Sequence, residues 1–221
     1  ISQPQCSVEA DRVVATIPQD MVSGRYGLYV VRGKDSSFIG NVDFTVLTNP
    51  RNYTAPQIVA HRGVCNNGEA DNSMASFISA QNIGGIYGTE FDIFTTSDGV
   101  IVVNHDKTTD MSGLVIENST YAQLKNETLS NGEKLPTLQA FLEQAKSTPN
   151  LRLIVEVKKH NSTANTIACT QRAVDLIKSK GFEDRVDFIS FSYDACKLAA
   201  QLLPNITVGY LSSTSDKTPE Q

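Results

Sequence analysis

The chain has 221 residues, 40% of them hydrophobic, and a formal net charge of −5 at pH 7. This composition is typical of a globular protein with one large domain, or with a medium domain and a small one. A mildly acidic chain without a basic run is not expected to bind nucleic acid or an anionic membrane. The sequence contains no segment of roughly 20 apolar residues, the length that a transmembrane helix requires.

The N-terminal part of the chain is rich in β-branched and aromatic residues, which favour strands. Turn-forming residues divide it into three predicted strands at Ser7–Ile17, Arg25–Arg32 and Ser37–Thr48. Their pattern resembles the later strands of a small immunoglobulin-like accessory domain. We therefore predict a small β accessory segment over residues 1–48, followed by a proline-flanked linker over 49–56.

From residue 57 onward, short apolar segments alternate with helical patterns. Such alternation is typical of parallel β-α units and therefore of an α/β fold. The predicted strands are Gln57–Ala60, Tyr87–Phe94, Gly99–Asn104, Arg152–Val157, Val186–Phe191 and Ile206–Leu211. The predicted helices are Ser73–Ile83, Thr137–Ser147, Thr163–Lys180 and Tyr193–Leu203. The alternation by itself does not distinguish a closed barrel from an open sheet.

Ionisable residues lie within or directly after four of these strands, although a buried strand is expected to contain apolar residues and to end in a turn. In chain order they are His61 and Arg62, Glu90 and Asp92, His105 and Asp106, and Glu156 and Lys158. In a (β/α) barrel the functional residues lie at the carboxyl ends of several strands. The pattern therefore predicts one site at that end of the sheet.

The predicted site contains carboxylates at a spacing that brings them together. Glu90 and Asp92 are two residues apart on a strand, so they point to the same face, and Glu156 and Lys158 repeat this spacing. Converging buried carboxylates repel one another unless their pKa values rise or a cation neutralises them. Oxygen ligands favour a hard ion, Mg²⁺ or Ca²⁺. The alternative, solvated surface pairs, is disfavoured because the flanking residues are apolar.

Two of the three histidines, His61 and His105, directly follow predicted strands beside charged neighbours. They are suited to act as general base and general acid on a phosphodiester bond. Arg62 and Lys158 have side chains that commonly bind phosphate. His160 lies in a polar segment, and we expect a loop residue without a catalytic role.

Five segments, in this order and close to this spacing, resemble the glycerophosphodiester phosphodiesterase family: "IVAHRG", "DNSMASFISAQNIGG", "TEFDIFTTSDGVIVVNHD", "LPTLQAFLEQAK" and "LIVEVK". The resemblance implies a TIM barrel that hydrolyses glycerophosphodiesters to an alcohol and glycerol 3-phosphate. The metal ligands that it implies are Glu90, Asp92 and Glu156. The acid–base pair and the phosphate contacts that it implies are His61 with His105, and Arg62 with Lys158.

Two features depart from the family pattern. Asp71 stands where the family usually has glutamate, and we expect it to cap the following helix. The chain ends after the sixth predicted strand, whereas a TIM barrel has eight. We therefore expect a TIM (β/α)8-type barrel over residues 57–221 that lacks its last two β-α units.

Two other functions stay open at this point. Related barrel enzymes with paired histidines act on phospholipid headgroups, and a non-catalytic module could bind phosphodiesters in the same pocket. The four cysteines permit disulfides or free thiols but contain no C-x-x-C pair typical of a zinc site. Sequons at Asn52, Asn118, Asn126, Asn161 and Asn205 fit an exported protein, periplasmic or extracellular.

Overall fold

The computed structural model describes residues 5–8, 13–16, 24–32, 34–44 and 57–213. The chain divides into two compact units, Ile1–Pro56 and Gln57–Gln221. The predicted linker over 49–56 lies outside the described residues.

The first unit contains two antiparallel hairpins. Strand β1 (Gln5–Val8) pairs with β2 (Val13–Thr16), and β3 (Gly24–Arg32) pairs with β4 (Asp35–Phe44). The prediction of one strand over Ser7–Ile17 is therefore wrong. The sequence has a polar stretch at residues 9–12, and one strand lies on each side of it. The immunoglobulin-like character of this unit stays a prediction.

The second unit is a sheet with helices between its strands. Its strands are β5 (Val59–Ala60), β6 (Gly88–Thr95), β7 (Ile101–Val103), β8 (Arg152–Val157), β9 (Val186–Ser190) and β10 (Val208–Tyr210). Its helices are α1 (Met74–Gln81), α2 (Tyr121–Leu124), α3 (Leu138–Ala145), α4 (Thr163–Ser179) and α5 (Tyr193–Leu202), with a 3-10 turn at Ile116–Asn118.

The order of the parallel strands follows the chain without a reversal. The sheet runs β10-β9-β8-β6-β5, and each of these neighbours is parallel. A doubly wound open sheet would reverse its strand order at a switch point, whereas a barrel adds each strand next to the preceding one. The fold is therefore a partial (β/α) barrel of the TIM type, as predicted.

Strand β7 is antiparallel to its neighbour, whereas the sequence predicts that all strands of the sheet are parallel. It pairs antiparallel with the end of β6, with Ile93 opposite Val103 and Thr95 opposite Ile101. The turn between these two strands covers only residues 96–100, in which Gly99 has a φ of +89°. A parallel crossover needs about a dozen residues or more, so this connection can form only a hairpin. The described residues thus contribute five parallel strands, rather than the six expected.

Side chains of β6 and β8 alternate between the two faces of the sheet. Phe91 and Val155 lie in the main hydrophobic core beside Phe77 of α1 and Phe141 of α3. The rings of Phe77 and Phe141 lie 4.6 Å apart between centroids, and those of Phe91 and Phe141 lie 5.0 Å apart. Burying each such side chain stabilises the fold by about 1.5–3 kcal/mol. This packing fixes the two strands, so that their polar residues face the other side of the sheet.

Three further expectations concern the chain as a whole. Within the described part, Cys65, Cys169 and Cys196 are free thiols. Among the described helices, none is both long and apolar enough to cross a bilayer. The sequon asparagines at positions 118, 126, 161 and 205 are exposed, and the fifth lies outside the described residues. Export stays a prediction.

Candidate active site

The structure brings together the three carboxylates that the sequence analysis singled out. Glu90 and Asp92 lie on β6, and Glu156 lies opposite Asp92 on β8. The three residues are only 4%, 1% and 7% exposed. One oxygen from each lies within 4.8 Å of the others. The cluster therefore has the geometry of a cation site made of carboxylate oxygens.

Electrostatics and hydrogen bonding within the cluster support this interpretation. Burial, together with the neighbouring charge of Asp92, raises the pKa of Glu90 to about 8. The Oε1 atom of Glu90 is buried and accepts no hydrogen bond. Carboxylates that repel one another and have a free oxygen are stabilised by a cation. The donor set fits a hard divalent ion such as Mg²⁺ or Ca²⁺.

Two cationic side chains border the carboxylates. The Nζ atom of Lys158 lies 3.2 Å from Oδ1 of Asp92 and 3.0 Å from Oε1 of Glu156. The Nε atom of Arg62 lies 3.6 Å from Oδ2 of Asp92, and its backbone N–H donates to Oε2 of Glu90 at 2.9 Å. If all three carboxylates are ionised, these two cations leave one negative charge uncompensated.

The predicted histidines lie on two loops, one after β5 and one after β7. The Nε2 atom of His61, which follows β5, lies 3.8 Å from Oε2 of Glu90. The side chain of His61 is 72% exposed, so it is open to a ligand from solvent. His105, which follows β7, has its Nδ1 atom 2.8 Å from Oδ1 of Asp106. Each histidine therefore has a carboxylate partner.

His105 reaches the site by a route that the sequence analysis did not foresee. Strand β6 continues past its last pair with β8, at Ile93, and β7 then returns along β6. The backbone N–H of Asn104 donates to the carbonyl of Asp92 at 3.0 Å. The antiparallel return thus brings the residue after Asn104 back to the level of the carboxylates. Arg62 and His105 line one cavity of about 350 Å³.

Asn72 is a buried residue of the site that the sequence analysis missed. Its side-chain Nδ2 donates to Oδ2 of Asp92 at 2.9 Å, and its Oδ1 accepts the backbone N–H of Asp92 at 3.0 Å. Its backbone is left-handed, with a φ of +60°. Asparagine adopts this conformation more readily than most residues, which is the one sequence signal that points to it.

The prediction that Asp71 caps α1 is wrong. Ser73 is the N-cap residue, and its hydroxyl accepts the backbone N–H of Ser76 at 3.0 Å. The left-handed Asn72 redirects the chain between Asp71 and the helix. Asp71 instead accepts hydrogen bonds from Nη1 of Arg62 at 3.1 Å and from the thiol of Cys65 at 3.3 Å. Its carboxylate therefore holds the guanidinium of Arg62.

Residues 61–221 match the model of the glycerophosphoryl diester phosphodiesterase family. The chain belongs to this family. A glycerophosphodiester phosphodiesterase of Bacillus altitudinis is 30% identical over 71% of this chain and 66% of its own length. A crystal structure of a family member from Parabacteroides distasonis is 42% identical, with a TM-score of 0.66, over 70% of this chain and 64% of that one.

A second solved structure contains a ligand. It is a phosphodiesterase of Oleispira antarctica in complex with the product sn-glycerol-3-phosphate. It is 30% identical to this chain, with a TM-score of 0.59, over 70% of this chain and 65% of that one. This chain thus spans just under two thirds of the length of each of these three family members. The shared fold is that of the second unit.

Proposed function

We propose that this protein hydrolyses glycerophosphodiesters to an alcohol and glycerol 3-phosphate. The observation that carries the proposal is the buried cluster of Glu90, Asp92 and Glu156, bordered by Arg62 and Lys158, in a chain of this family. The product complex of the Oleispira antarctica relative supports the same reaction. A surface ion-pair network would not need three buried carboxylates with an unbonded oxygen.

One divalent cation, Mg²⁺ or Ca²⁺, would be held by Glu90, Asp92 and Glu156. When bound, it supplies positive charge beside the phosphate and stabilises the charge that develops on the phosphate oxygens. The raised pKa of Glu90 supports this assignment, because the carboxylates alone exceed the positive charge beside them. The metal dependence of activity distinguishes the two ions.

Arg62 and Lys158 would bind the phosphate oxygens that the cation leaves free. Both of these side chains lie beside the carboxylate of Asp92, with Lys158 near Oδ1 and Arg62 near Oδ2. Asp71 accepts from Nη1 of Arg62 and limits how far its guanidinium can move. A planar guanidinium and a mobile ammonium together suit a phosphate whose charge is redistributed during the reaction.

His61 and His105 would carry the protons. If Nδ1 of His105 donates to Asp106, its Nε2 is the basic nitrogen, so we assign His105 as the general base. It takes a proton from water as the water oxygen bonds to phosphorus. The bond between phosphorus and the alcohol oxygen breaks, and His61 donates a proton to that oxygen. The neighbouring glycerol hydroxyl could replace water as nucleophile, which gives a cyclic phosphate first.

The substrate class is tested by product analysis with matched substrates. The full chain is incubated with glycerophosphocholine, or with phosphatidylcholine or phosphatidylinositol vesicles, and with Mg²⁺ or Ca²⁺. We expect glycerol 3-phosphate from the deacylated diester and no headgroup from the vesicles. Headgroup release from intact lipid without turnover of the diester would identify a phospholipid headgroup phosphodiesterase instead. Binding of the diester without cleavage would identify a binding module.

A further inference from the structure

The ring of His160 lies between the backbones of β6 and β8 where these two strands separate. His160 follows β8 in a loop, as expected, but it is only 7% exposed. Its Nε2 atom accepts the backbone N–H of Thr95 at 3.0 Å. Its Nδ1 atom lies 2.9 Å from the backbone carbonyl of Lys158. The imidazole thus joins the two strands through one atom on each side.

The ring occupies the place of a regular hydrogen bond of the sheet. The backbone N–H of Lys158 donates to the carbonyl of Ile93 at 3.3 Å. In a regular parallel ladder, the N–H of Thr95 would donate directly to the carbonyl of Lys158. Here the imidazole separates these two groups and satisfies both. We call this the imidazole spacer.

The imidazole spacer requires one protonation state of His160. A neutral ring with its proton on Nδ1 can donate to Lys158 and accept from Thr95, whereas a charged ring cannot accept. Burial lowers the pKa of His160, which favours the neutral ring. The ring also packs against Phe94, with centroids 5.1 Å apart, and the backbone N–H of His160 donates to the Thr166 hydroxyl at 3.0 Å.

We propose that His160 is a positioning residue, which fixes the backbone at Lys158 and so holds the ammonium of Lys158 between Asp92 and Glu156. The inference rests on the phosphate-binding role of Lys158 in the proposed function. Lys158 is the first residue after β8, and its own carbonyl is the group that the spacer holds. A side chain of different width at position 160 would rotate the peptide group of Lys158 and displace its Nζ from the carboxylates of Asp92 and Glu156.

The same ring also fixes the β6–β7 hairpin. Thr95 is the last residue of β6, and on its other side it pairs with Ile101 of β7. The spacer therefore holds the strand that turns back toward His105. One neutral imidazole links the backbone of a phosphate-binding residue to the hairpin that carries a histidine of the site.

Two variants separate hydrogen bonding from packing. His160→Phe keeps a planar ring but has neither donor nor acceptor, whereas His160→Gln has both on one planar amide. We expect His160→Phe to lower kcat/KM about 10²-fold, because a displacement of roughly 1 Å in a positioning group can have that effect. His160→Gln should recover most of the loss. Equal losses in both variants would contradict the proposal.

A double-mutant cycle tests whether His160 acts through Lys158. In a Lys158→Met background, His160→Phe should cause little further loss, because the group that it positions is absent. The matched control is Lys159→Met, at an exposed neighbouring lysine, in which His160→Phe should have its full effect. Multiplicative losses in the Lys158→Met background would show a merely structural role and overturn the proposal.

Nitrogen-15 NMR of the wild-type protein tests the spacer without any turnover. We expect His160 to have a protonated Nδ1 and an unprotonated Nε2 that is coupled to the amide of Thr95. A ring protonated at Nε2 would overturn the proposal whatever the activity. If the wild type does not cleave glycerophosphocholine, the proposed function is wrong. The cycle is then measured from the dissociation constant of glycerol 3-phosphate, with the same expected pattern.

Discussion

Asn72 holds Asp92 by two hydrogen bonds, one to its carboxylate and one from its backbone N–H, at 2.9 and 3.0 Å. The two residues are 20 positions apart, and both are buried. The bond from Nδ2 to Oδ2 leaves Oδ1 of Asp92 for Lys158 or a cation. Asn72 therefore orients a carboxylate that would bind the metal.

Removal of the Asn72 side chain should weaken metal binding. Asn72→Gly is the suitable variant, because glycine adopts the φ of +60° without strain. We expect about a 10–100-fold loss in affinity for Mg²⁺ or Ca²⁺, the usual effect when a residue that orients a ligand is removed. Isothermal titration calorimetry measures it. Asn82→Gly, at the exposed end of α1, is the matched control, and an equal loss there would contradict the role of Asn72.

Metal affinity should depend on pH through Glu90. The pKa of Glu90 is raised to about 8, so its carboxyl group is protonated at pH 6 and must release a proton to bind a cation. Affinity should rise by up to about tenfold per pH unit toward pH 8 and flatten above it. Calorimetry in two buffers of different ionisation enthalpy measures the released proton. Glu90→Gln should abolish this release, and an affinity independent of pH from 6 to 9 would contradict the prediction.

Loss of either histidine should affect catalysis and leave metal binding intact. We expect His61→Ala and His105→Ala each to lower kcat by about 10²–10⁴-fold. Steady-state kinetics measures the loss, and metal affinity serves as the control. Asp106→Asn should cause a smaller loss, because it changes the partner of the His105 ring and leaves the ring in place. Losses below about tenfold for both alanine variants would rule out acid–base roles.

Asp187, remote in sequence from the site residues, should contribute to stability. It accepts from Nη2 and Nε of Arg152 at 2.7 and 2.9 Å, and from the Tyr87 hydroxyl at 2.8 Å. Burial alone would raise its pKa, but these donors hold the pKa of Asp187 below its ordinary value of 3.8. Its contribution is therefore present above pH 3.8 and is lost as the pH falls through the lower folded value.

Asp187→Asn should therefore lower the free energy of unfolding by about 1–3 kcal/mol at pH 7. Urea unfolding should show that the difference between the wild type and the variant shrinks as the pH falls through the lowered folded pKa of Asp187, below which its side chain is neutral. Asp184→Asn, at an exposed neighbouring aspartate, is the control and should change little. A difference between wild type and Asp187→Asn that stays undiminished as the pH is lowered below 3.8 would contradict the assignment.

The sequence located the carboxylates because alternation along a buried strand is a local rule. Glu90 and Asp92 share a face of β6, and Glu156 faces them from β8, as their spacing predicted. The direction of β7 was predicted wrongly, since a short apolar run has the same pattern in parallel and antiparallel strands. The turn before β7, residues 96–100, is too short for a parallel crossover, and this was the sequence signal for an antiparallel hairpin.

The residues that support the site were harder to predict from sequence. The role of Asn72 depends on its left-handed backbone and on its contact with Asp92, and neither feature produces a periodic pattern in the sequence. Asp71 precedes a helix, as a cap would, but Asn72 turns it toward Arg62. His160 stands in a polar stretch, yet contact with Thr95 buries it. These placements depend on tertiary contacts, which override local preference.

Hydrolysis of glycerophosphodiesters with a cation held by Glu90, Asp92 and Glu156 is the activity that we propose for this chain. The most direct measurement is release of glycerol 3-phosphate from glycerophosphocholine, first in EDTA and then after Mg²⁺ or Ca²⁺ is restored. We expect no release in EDTA, recovery with one or both ions, and no recovery in Glu156→Gln. Undiminished release in EDTA would contradict the metal site, and no release with either ion would contradict the proposed activity.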